Sequence, residues 1–307
     1  MLSLRTIWRL GRPHTLIGTA LSLGSLWLVA RYDLGVAGWS GVGDGSLIRH
    51  LPAPLFAALA LNLYITGLNQ WADVGVDQVN KPWLPIVAGE ISRRAALGVV
   101  LTAGTLGLLV GGWVSGFLFW LLLGIALLGT AYSLPPILLK RHHVGAAFAI
   151  TLVRGVLVNV GFYLHFRAAL GGGDAMEVGP SILPLTAFVT LFSVGIAWFK
   201  DIPDTRGDAA FAFGTLAVRQ GRTRALRWGM GVVAAAYGSV FAGAFLGFLP
   251  LTGFIVLTHA AFLLGFLRGA LLLDVDDDLA VLRFYRFFWG LFFVEYLIYP
   301  MGLWLAP

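Results

Sequence analysis

The feature that most constrains this chain is a recurrence of long apolar stretches almost free of charge. They lie near residues 14–30, 52–70, 95–114, 117–137, 144–166, 182–199, 228–247, 250–272 and 287–305. A helix needs about 20 such residues to cross the hydrocarbon of a bilayer. Inside that layer every backbone polar group must find its partner within the protein, and a helix meets this condition segment by segment. The pattern therefore predicts an all-α polytopic membrane protein. Its nine transmembrane helices would bundle around a central cavity as a single transmembrane domain over residues 1–307. The close pairs at 95–137 and 228–272 read as helical hairpins. The first stretch follows basic residues but no small-residue cleavage pattern, so it reads as a span and not as a signal peptide.

Composition closes off the alternatives. Charged residues make up 12% of the chain and apolar ones 58%, with a mean hydropathy of +0.85. A soluble domain carries about 25% charged residues, so a soluble enzyme of this length would lack the polar groups to cover itself. Cysteine is absent, which excludes a disulfide-stapled module. The formal charge of +6 is a topology signal and does not indicate nucleic acid as a partner. Sixteen of the 21 Lys and Arg residues fall in the N-terminus and the loops near 71–94, 138–143, 200–227 and 273–286. The opposite loops hold only Arg31, Arg49 and Arg167. Positive charge accumulates on the cytoplasmic side of membrane proteins, so the N-terminus and the four basic loops are expected there, or on the equivalent side of an organelle membrane. Glycine pairs spaced by four, Gly107/Gly111, Gly243/Gly247 and Gly265/Gly269, offer places for helices to approach closely.

Two short acidic patterns stand out because carboxylates are scarce. The first occupies 69–82 and reads Asn69-Gln-Trp-Ala-Asp73-Val-Gly-Val-Asp77-Gln-Val-Asn80-Lys81-Pro82. Residues four apart lie on one face of a continuous helix, so Asn69, Asp73 and Asp77 would share a face, with Asn62 extending it. Lys81-Pro82 marks a break. The second occupies 200–208 and reads Lys200-Asp201-Ile-Pro-Asp204-Thr-Arg206-Gly207-Asp208. Its carboxylates share a face if the backbone is helical. Pro203 fits either the first turn of a new helix or a kink, and Gly207 leaves an ordered loop open.

Both patterns follow a span on the same side. Five converging carboxylates repel one another unless cations are present, and carboxylate oxygens suit Mg²⁺, which commonly bridges to substrate phosphates. Lys81, Lys140, Arg141, Lys200 and Arg206 supply positive charge for the remainder of a polyanion. The combination points to a Mg²⁺–diphosphate site at the membrane surface, with a lipid tail in the apolar interior. Two solvated acidic loops are the plainer alternative. An allylic tail would leave a carbocation on losing diphosphate, and ring faces such as those of Trp71, Tyr132 and Tyr163 could stabilise it.

At these residues the chain resembles the UbiA superfamily of intramembrane prenyltransferases. The family's first motif matches Asn69, Asp73 and Asp77, and its second matches Asp201, Asp204 and Asp208. Its Tyr-Ser-x-Pro-Pro element appears as Tyr132-Ser133-Leu134-Pro135-Pro136, followed by Lys140 and Arg141. Where many members have Asn-Asp, this chain has Asn69-Gln70. That departure, the stretch from Asn62, the run Asn80-Lys81-Pro82-Trp83-Leu84-Pro85 and the run Val153-Arg154-Gly155-Val156-Leu157-Val158-Asn159 look most like the homogentisate prenyltransferase branch.

The resemblance implies nine helices and transfer of a phytyl, geranylgeranyl or longer group from its diphosphate to an aromatic acceptor. Homogentisate, which loses its carboxylate, is the acceptor of that branch, on the route to tocopherols or plastoquinone. Related branches use 4-hydroxybenzoate, dihydroxynaphthoate, chlorophyllide or a glycerol-phosphate lipid. Asn69, Asp73, Asp77, Asp201, Asp204 and Asp208 would position two Mg²⁺ ions. Asp73, Asp77, Asp204, Asp208 and Lys200 are the catalytic candidates. Lys81, Tyr132, Lys140, Arg141, Arg154 and Arg206 are the candidates for holding the substrate.

Other polar residues read more plainly. Arg154 falls inside the fifth span, where an unpaired charge is costly, so it should meet an anion of substrate or of protein. Asn159 reads as helix glue. Glu295 could pair with Arg154 or Arg268, or bond to the acceptor, and His259 reads as a packing histidine. His142 and His143 sit at a basic interface, with no acidic neighbour to suggest zinc. Asp274-Val-Asp276-Asp277-Asp278 fails as a calcium loop, with Leu279 and Tyr285 at its sixth and twelfth positions, and reads as a solvated turn. Arg219, Arg222, Arg224 and Arg227 read as an interfacial anchor, and Gly171–Gly173 as an external loop. A transporter is the non-enzyme rival, although carriers commonly bind near the midplane and these acidic patterns sit at one surface.

Overall fold

The computed structural model describes residues 3–35, 50–172, 176–250 and 252–305. Arg49 and Gly173, both counted above, lie outside the described residues. Within them the named elements are helices, apart from one isolated bridge between His142 and Gly214. In chain order they are α1 (Leu4–Leu10), α2 (Pro13–Asp33), α3 (Pro52–Ala72), α4 (Val74–Asn80), α5 (Arg93–Val114), α6 (Gly116–Ser133) and α7 (His143–Gly171). They continue with α8 (Ile182–Phe199), α9 (Asp201–Ala210), α10 (Leu216–Gln220), α11 (Arg222–Phe245), α12 (Gly253–Leu271) and α13 (Asp278–Trp304). A 3-10 turn, Leu139–Arg141, precedes α7.

Eight of these helices, α2, α5, α6, α7, α8, α11, α12 and α13, are long and apolar enough to cross a membrane. The chain is thus an all-α, polytopic integral membrane protein. The expected second span is also a helix, the 21-residue α3. Asn62, Thr66, Asn69 and Gln70 dilute its apolar character, and it is not among the eight.

Local chemistry sets the ends. Ser115 alone separates α5 from α6; its backbone is extended, and its hydroxyl accepts from the Leu118 amide at 3.1 Å. Pro135 and Pro136 follow α6, which stops at Ser133 and not at 137 as expected. The last helix begins at Asp278 and not near 287, because Asp277 caps it by accepting from the amides of Leu279 and Ala280. Arg283 and Arg286 are therefore helical residues, as are Arg222, Arg224 and Arg227 at the start of α11.

The bundle is closely packed. α3 lies mainly on α5, and α8 on α11. A side chain at Gly107 would stand 3.0 Å from the Ala57 carbonyl oxygen, so this glycine lets α5 rest on the backbone of α3. The expectation fails for Gly265, which faces open space, and for Gly247, whose φ of +80° lies just beyond the end of α11. Aromatic rings fill the centre. Phe192 stacks on Phe288 with centroids 4.2 Å apart, and Phe199, Phe266 and Phe284 pack around them. Most of the aromatic content therefore holds helices together.

A cavity of about 160 Å³ lies between α2, α3, α6, α7 and α13. At one end of the bundle, Arg12, Asn69, Asp73, Lys81, Lys140 and Asp204 are linked across four segments of chain. At the other end, the Tyr163 hydroxyl donates to Asp33 at 2.5 Å and accepts from the Gly179 amide and from Arg167.

Candidate functional site

The first acidic pattern is two helices in near continuity. Asp73 leaves the helical region at φ −97°, ψ 16°, yet its amide still donates to Asn69 and its carbonyl accepts from Asp77. Asn69, Asp73 and Asp77 consequently follow one another toward the end of the bundle. The Asn69 amide donates to Asp73 at 2.9 Å, and Arg12 donates to Asn69 at 3.1 Å. Gln70 points elsewhere: it is buried and donates to the Leu10 carbonyl, holding the end of α1.

The second pattern is helical too. Pro203 occupies the first turn of α9, where its missing N–H costs nothing, and Gly207 lies within the helix. A side chain at Gly207 would collide with Asn80, so glycine here lets α9 close on α4. Asn80 joins the two patterns, accepting from the Gly207 amide at 2.9 Å and donating to Asp208 at 3.5 Å. Lys81 pairs with Asp204 and Lys140 with Asp73, while Lys200 lies 2.9 Å from Asp201.

Three lysines thus answer three of the carboxylates. Asp77 and Asp208 are buried without such a partner, and one Asp77 oxygen has no hydrogen bond. Burial raises the Asp77 carboxyl to about 6 and, helped by the charges of Asp201 and Asp204, raises Asp208 to about 7. Burial lowers the Lys140 ammonium, against the pull of Asp73. With the lysines drawing carboxylates aside, no three His, Asp or Glu side chains among the described residues are grouped to hold a metal ion by themselves. Asn69, expected among the six ligands, has its oxygen bonded to Arg12. The donor set still fits Mg²⁺, which is held through one or two carboxylates together with substrate phosphate oxygens and water. The buried Asp77 oxygen that has no hydrogen bond is a donor of the kind such a group uses.

The UbiA prenyltransferase family model matches residues 34–292. The chain belongs to the UbiA prenyltransferase family. This UbiA-family enzyme is 36% identical to the homogentisate phytyltransferase of Synechocystis sp., over 99% of its own length and 97% of the relative's. It is 38% identical to the chloroplastic homogentisate solanesyltransferase of Arabidopsis thaliana, over 95% of its length and 75% of the relative's. Among solved structures, its fold is similar to a UbiA homolog from Archaeoglobus fulgidus bound to DMAPP and Mg²⁺, with a TM-score of 0.63 at 17% identity. That match covers 97% of this chain and 98% of the other. A UbiA homolog from Aeropyrum pernix gives a TM-score of 0.66 at 19% identity, over 95% and 98%.

Several expected site residues stand elsewhere in the UbiA fold of this chain. Arg206 is 83% exposed, with its nearest carboxylate 3.8 Å away on Asp278. Arg141 is exposed, and its carbonyl accepts from Gly214. Tyr132 is half-buried with the Lys200 ammonium 5.9 Å from its ring centroid. Trp71 carries Arg93 over its ring at 4.4 Å, and Tyr163 lies at the opposite end of the bundle from the motifs.

Glu295 pairs with neither Arg154 nor Arg268. It lies 3.2 Å from His259, which is thereby a partnered residue linking α12 to α13. Asn159 acts as glue, donating to the carbonyls of Arg154 and Gly155 and accepting from Tyr296. Sequence reasoning missed Arg12, counted only as a topology charge, and gave Asn80 no role. Its place beside Lys81-Pro82 was the only signal for Asn80.

Proposed function

We propose that this chain transfers a polyprenyl group from an allylic diphosphate to homogentisate, with Mg²⁺. One observation carries the reading: the two acidic patterns meet, through Asn80 and the Lys81–Asp204 pair, beside buried Lys140 and partly buried Lys200 at one end of an apolar bundle. The names of the 36%-identical and 38%-identical relatives supply the acceptor and the phytyl-to-solanesyl range of tails. In this reading α3 is the ninth span, residues 1–307 form one transmembrane domain, and the motif end faces the cytoplasm or its organelle equivalent. That orientation follows from the basic residues gathered there.

Asp73, Asp77, Asp201, Asp204 and Asp208, with Asn69, are the residues that would hold two Mg²⁺ ions, which would neutralise charge on the diphosphate oxygens. Lys81, Lys140 and Lys200 balance three of the carboxylates and offer ammonium groups to the leaving diphosphate. Tyr132 presents its ring beside Lys200, and Arg141 adds long-range positive charge. The allylic C–O bond breaks with its electron pair going to diphosphate, and a ring carbon of the acceptor forms the new C–C bond. The ring proton departs, the side-chain carboxylate leaves as CO₂, and the residual methylene takes up a proton. The apolar bundle keeps water from the intermediate cation.

The test is a product assay on purified protein with Mg²⁺. Geranylgeranyl, phytyl and longer diphosphates are crossed with homogentisate, 4-hydroxybenzoate and dihydroxynaphthoate. A prenylated methylquinol with equimolar CO₂ and diphosphate is expected from homogentisate. Conversion of another acceptor alone would overturn the branch, and no consumption of any allylic diphosphate would overturn the reading as a whole.

A further inference from the structure

Arg154 is the charged group that the reading above leaves unused, and the fold holds it in place. It lies in a π-type segment of α7, Leu152–Gly161, a distortion that recurs at functional positions. A side chain at Gly155 would stand 2.7 Å from the Thr190 Cα, so that residue is pressed against α8 and its neighbour Arg154 turns elsewhere. The Asn159 amide takes the Arg154 carbonyl at 2.6 Å, and Tyr296 locks Asn159 in turn. The guanidinium lies over Trp289 and Phe292, 4.8 and 5.3 Å from their ring centroids. It borders the cavity between α2, α3, α6, α7 and α13.

Apart from the Trp289 indole N–H, the other polar side chains of that cavity are hydrogen-bonded. Asn62 donates to Thr19 at 2.8 Å and accepts from Thr15 at 2.9 Å. Arg154 differs: one of its terminal nitrogens is buried with no hydrogen-bond partner, and no carboxylate pairs with it among the described residues. Glu295, the acid that sequence would have supplied, is taken by His259. A guanidinium inside a membrane protein is costly when unanswered, and its planar fork fits a carboxylate. The aromatic walls beside it fit a flat ring.

We propose that this cavity is the acceptor pocket and that Arg154 holds the carboxylate of an aromatic acid there, its ring lying against Trp289 and Phe292. The proposal rests on the prenyltransferase reading and deepens it by naming what selects an acid over a plain quinol. Arg154 is a binding and specificity residue in this scheme. The acceptor binds through its carboxylate, and the phenol ring is presented to the apolar interior.

The experiment measures equilibrium binding of homogentisate and of methylhydroquinone, which lacks the carboxylate, to the purified full chain without diphosphate. Geranylgeranyl diphosphate with Mg²⁺ is bound separately as the control. The wild-type protein is expected to favour the acid. Arg154→Gln should weaken the acid by at least about tenfold, the scale of a lost hydrogen bond to charge, while leaving methylhydroquinone and geranylgeranyl diphosphate little changed. Arg154→Lys, which keeps the charge without the fork, should fall between, with the loss in KM for homogentisate. Equal weakening of acid and quinol in the variants, or an acid indifferent to Arg154, would overturn the pocket assignment alone. So would a wild-type protein that binds both alike, a result that needs no variant to fold. Failure of wild-type protein to bind geranylgeranyl diphosphate would remove both readings together.

Discussion

At the end of the bundle remote from the motifs, Asp33 accepts from the Tyr163 hydroxyl, which itself accepts from Gly179 and Arg167. That network ties α2 to α7 and to the segment before α8. At the motif end, five aspartates share three lysines, and Asp77 keeps a buried oxygen without a partner. Both ends gather acid and base near the edge of the apolar core, but only one leaves negative charge unanswered. Buried polar groups in a purely structural network tend to be satisfied. A cluster with more carboxylates than lysines suits a cation-bridged phosphate ligand better than a purely structural role.

The sharpest way to break this contrast is to truncate one acid at the motif end and one hydroxyl at the other. Asp73→Ala or Asp204→Ala should lower turnover by at least about a hundredfold, the cost of losing one preorganised electrostatic contact, while the protein still inserts in membranes. Tyr163→Phe should instead lower the melting temperature, through a loss of about 1–3 kcal/mol for the groups left unpaired, and spare turnover. Product formation and thermal melts on both variants decide the matter. Loss of turnover in Tyr163→Phe at unchanged stability would erase the distinction between the ends.

A smaller effect follows from proton linkage. Asp77 and Asp208 have carboxyls raised by burial to about 6 and about 7. A carboxyl raised on folding contributes stability that is present below its ordinary value, near 4, and lost as pH climbs through the raised value. Metal-free protein should therefore melt at progressively lower temperature as pH rises from about 4 to about 7. Because metal ligands must be deprotonated, Mg²⁺ with inorganic diphosphate should restore more stability at pH 8 than at pH 6. A flat metal-free profile, or equal rescue at both pH values, would show that these acids carry no excess negative charge.

The smallest effect is expected at Arg206. Exposed and 3.8 Å from Asp278, it belongs to a surface pair of the kind that contributes about 0–1 kcal/mol. Arg206→Ala should change turnover by less than about fivefold, as measured with saturating allylic diphosphate. A larger loss would return Arg206 to the diphosphate site that its sequence position suggested.

That last case indicates where sequence reading stops. Asp204, Arg206 and Asp208 lie within five residues, yet Asp204 meets Lys81 and Asp208 meets Asn80 while Arg206 faces outward. Spacing along a helix separates its faces, and the acids were legible as a group for that reason. It does not say which face a neighbouring element will cover. Gln70 is a second example: its neighbour Asn69 joins the site, whereas Gln70 turns to the Leu10 carbonyl. Arg12, distant in sequence, reaches Asn69 from a backbone at φ 51°, which no local pattern announces.

By itself the amino-acid sequence determined that the chain is a membrane-embedded helical bundle, where its long helices run, and which two segments hold its scarce carboxylates. These are consequences of local length, polarity and spacing, acting through the expense of exposing backbone or charge to hydrocarbon. Only the tertiary structure decided that Asn80 joins the two acidic segments, that His259 claims Glu295, and that Arg154 faces a cavity with no acid to answer it among the described residues. Those outcomes depend on the depth and rotation at which helices far apart in the chain come to rest against one another, and close packing of the whole bundle fixes both.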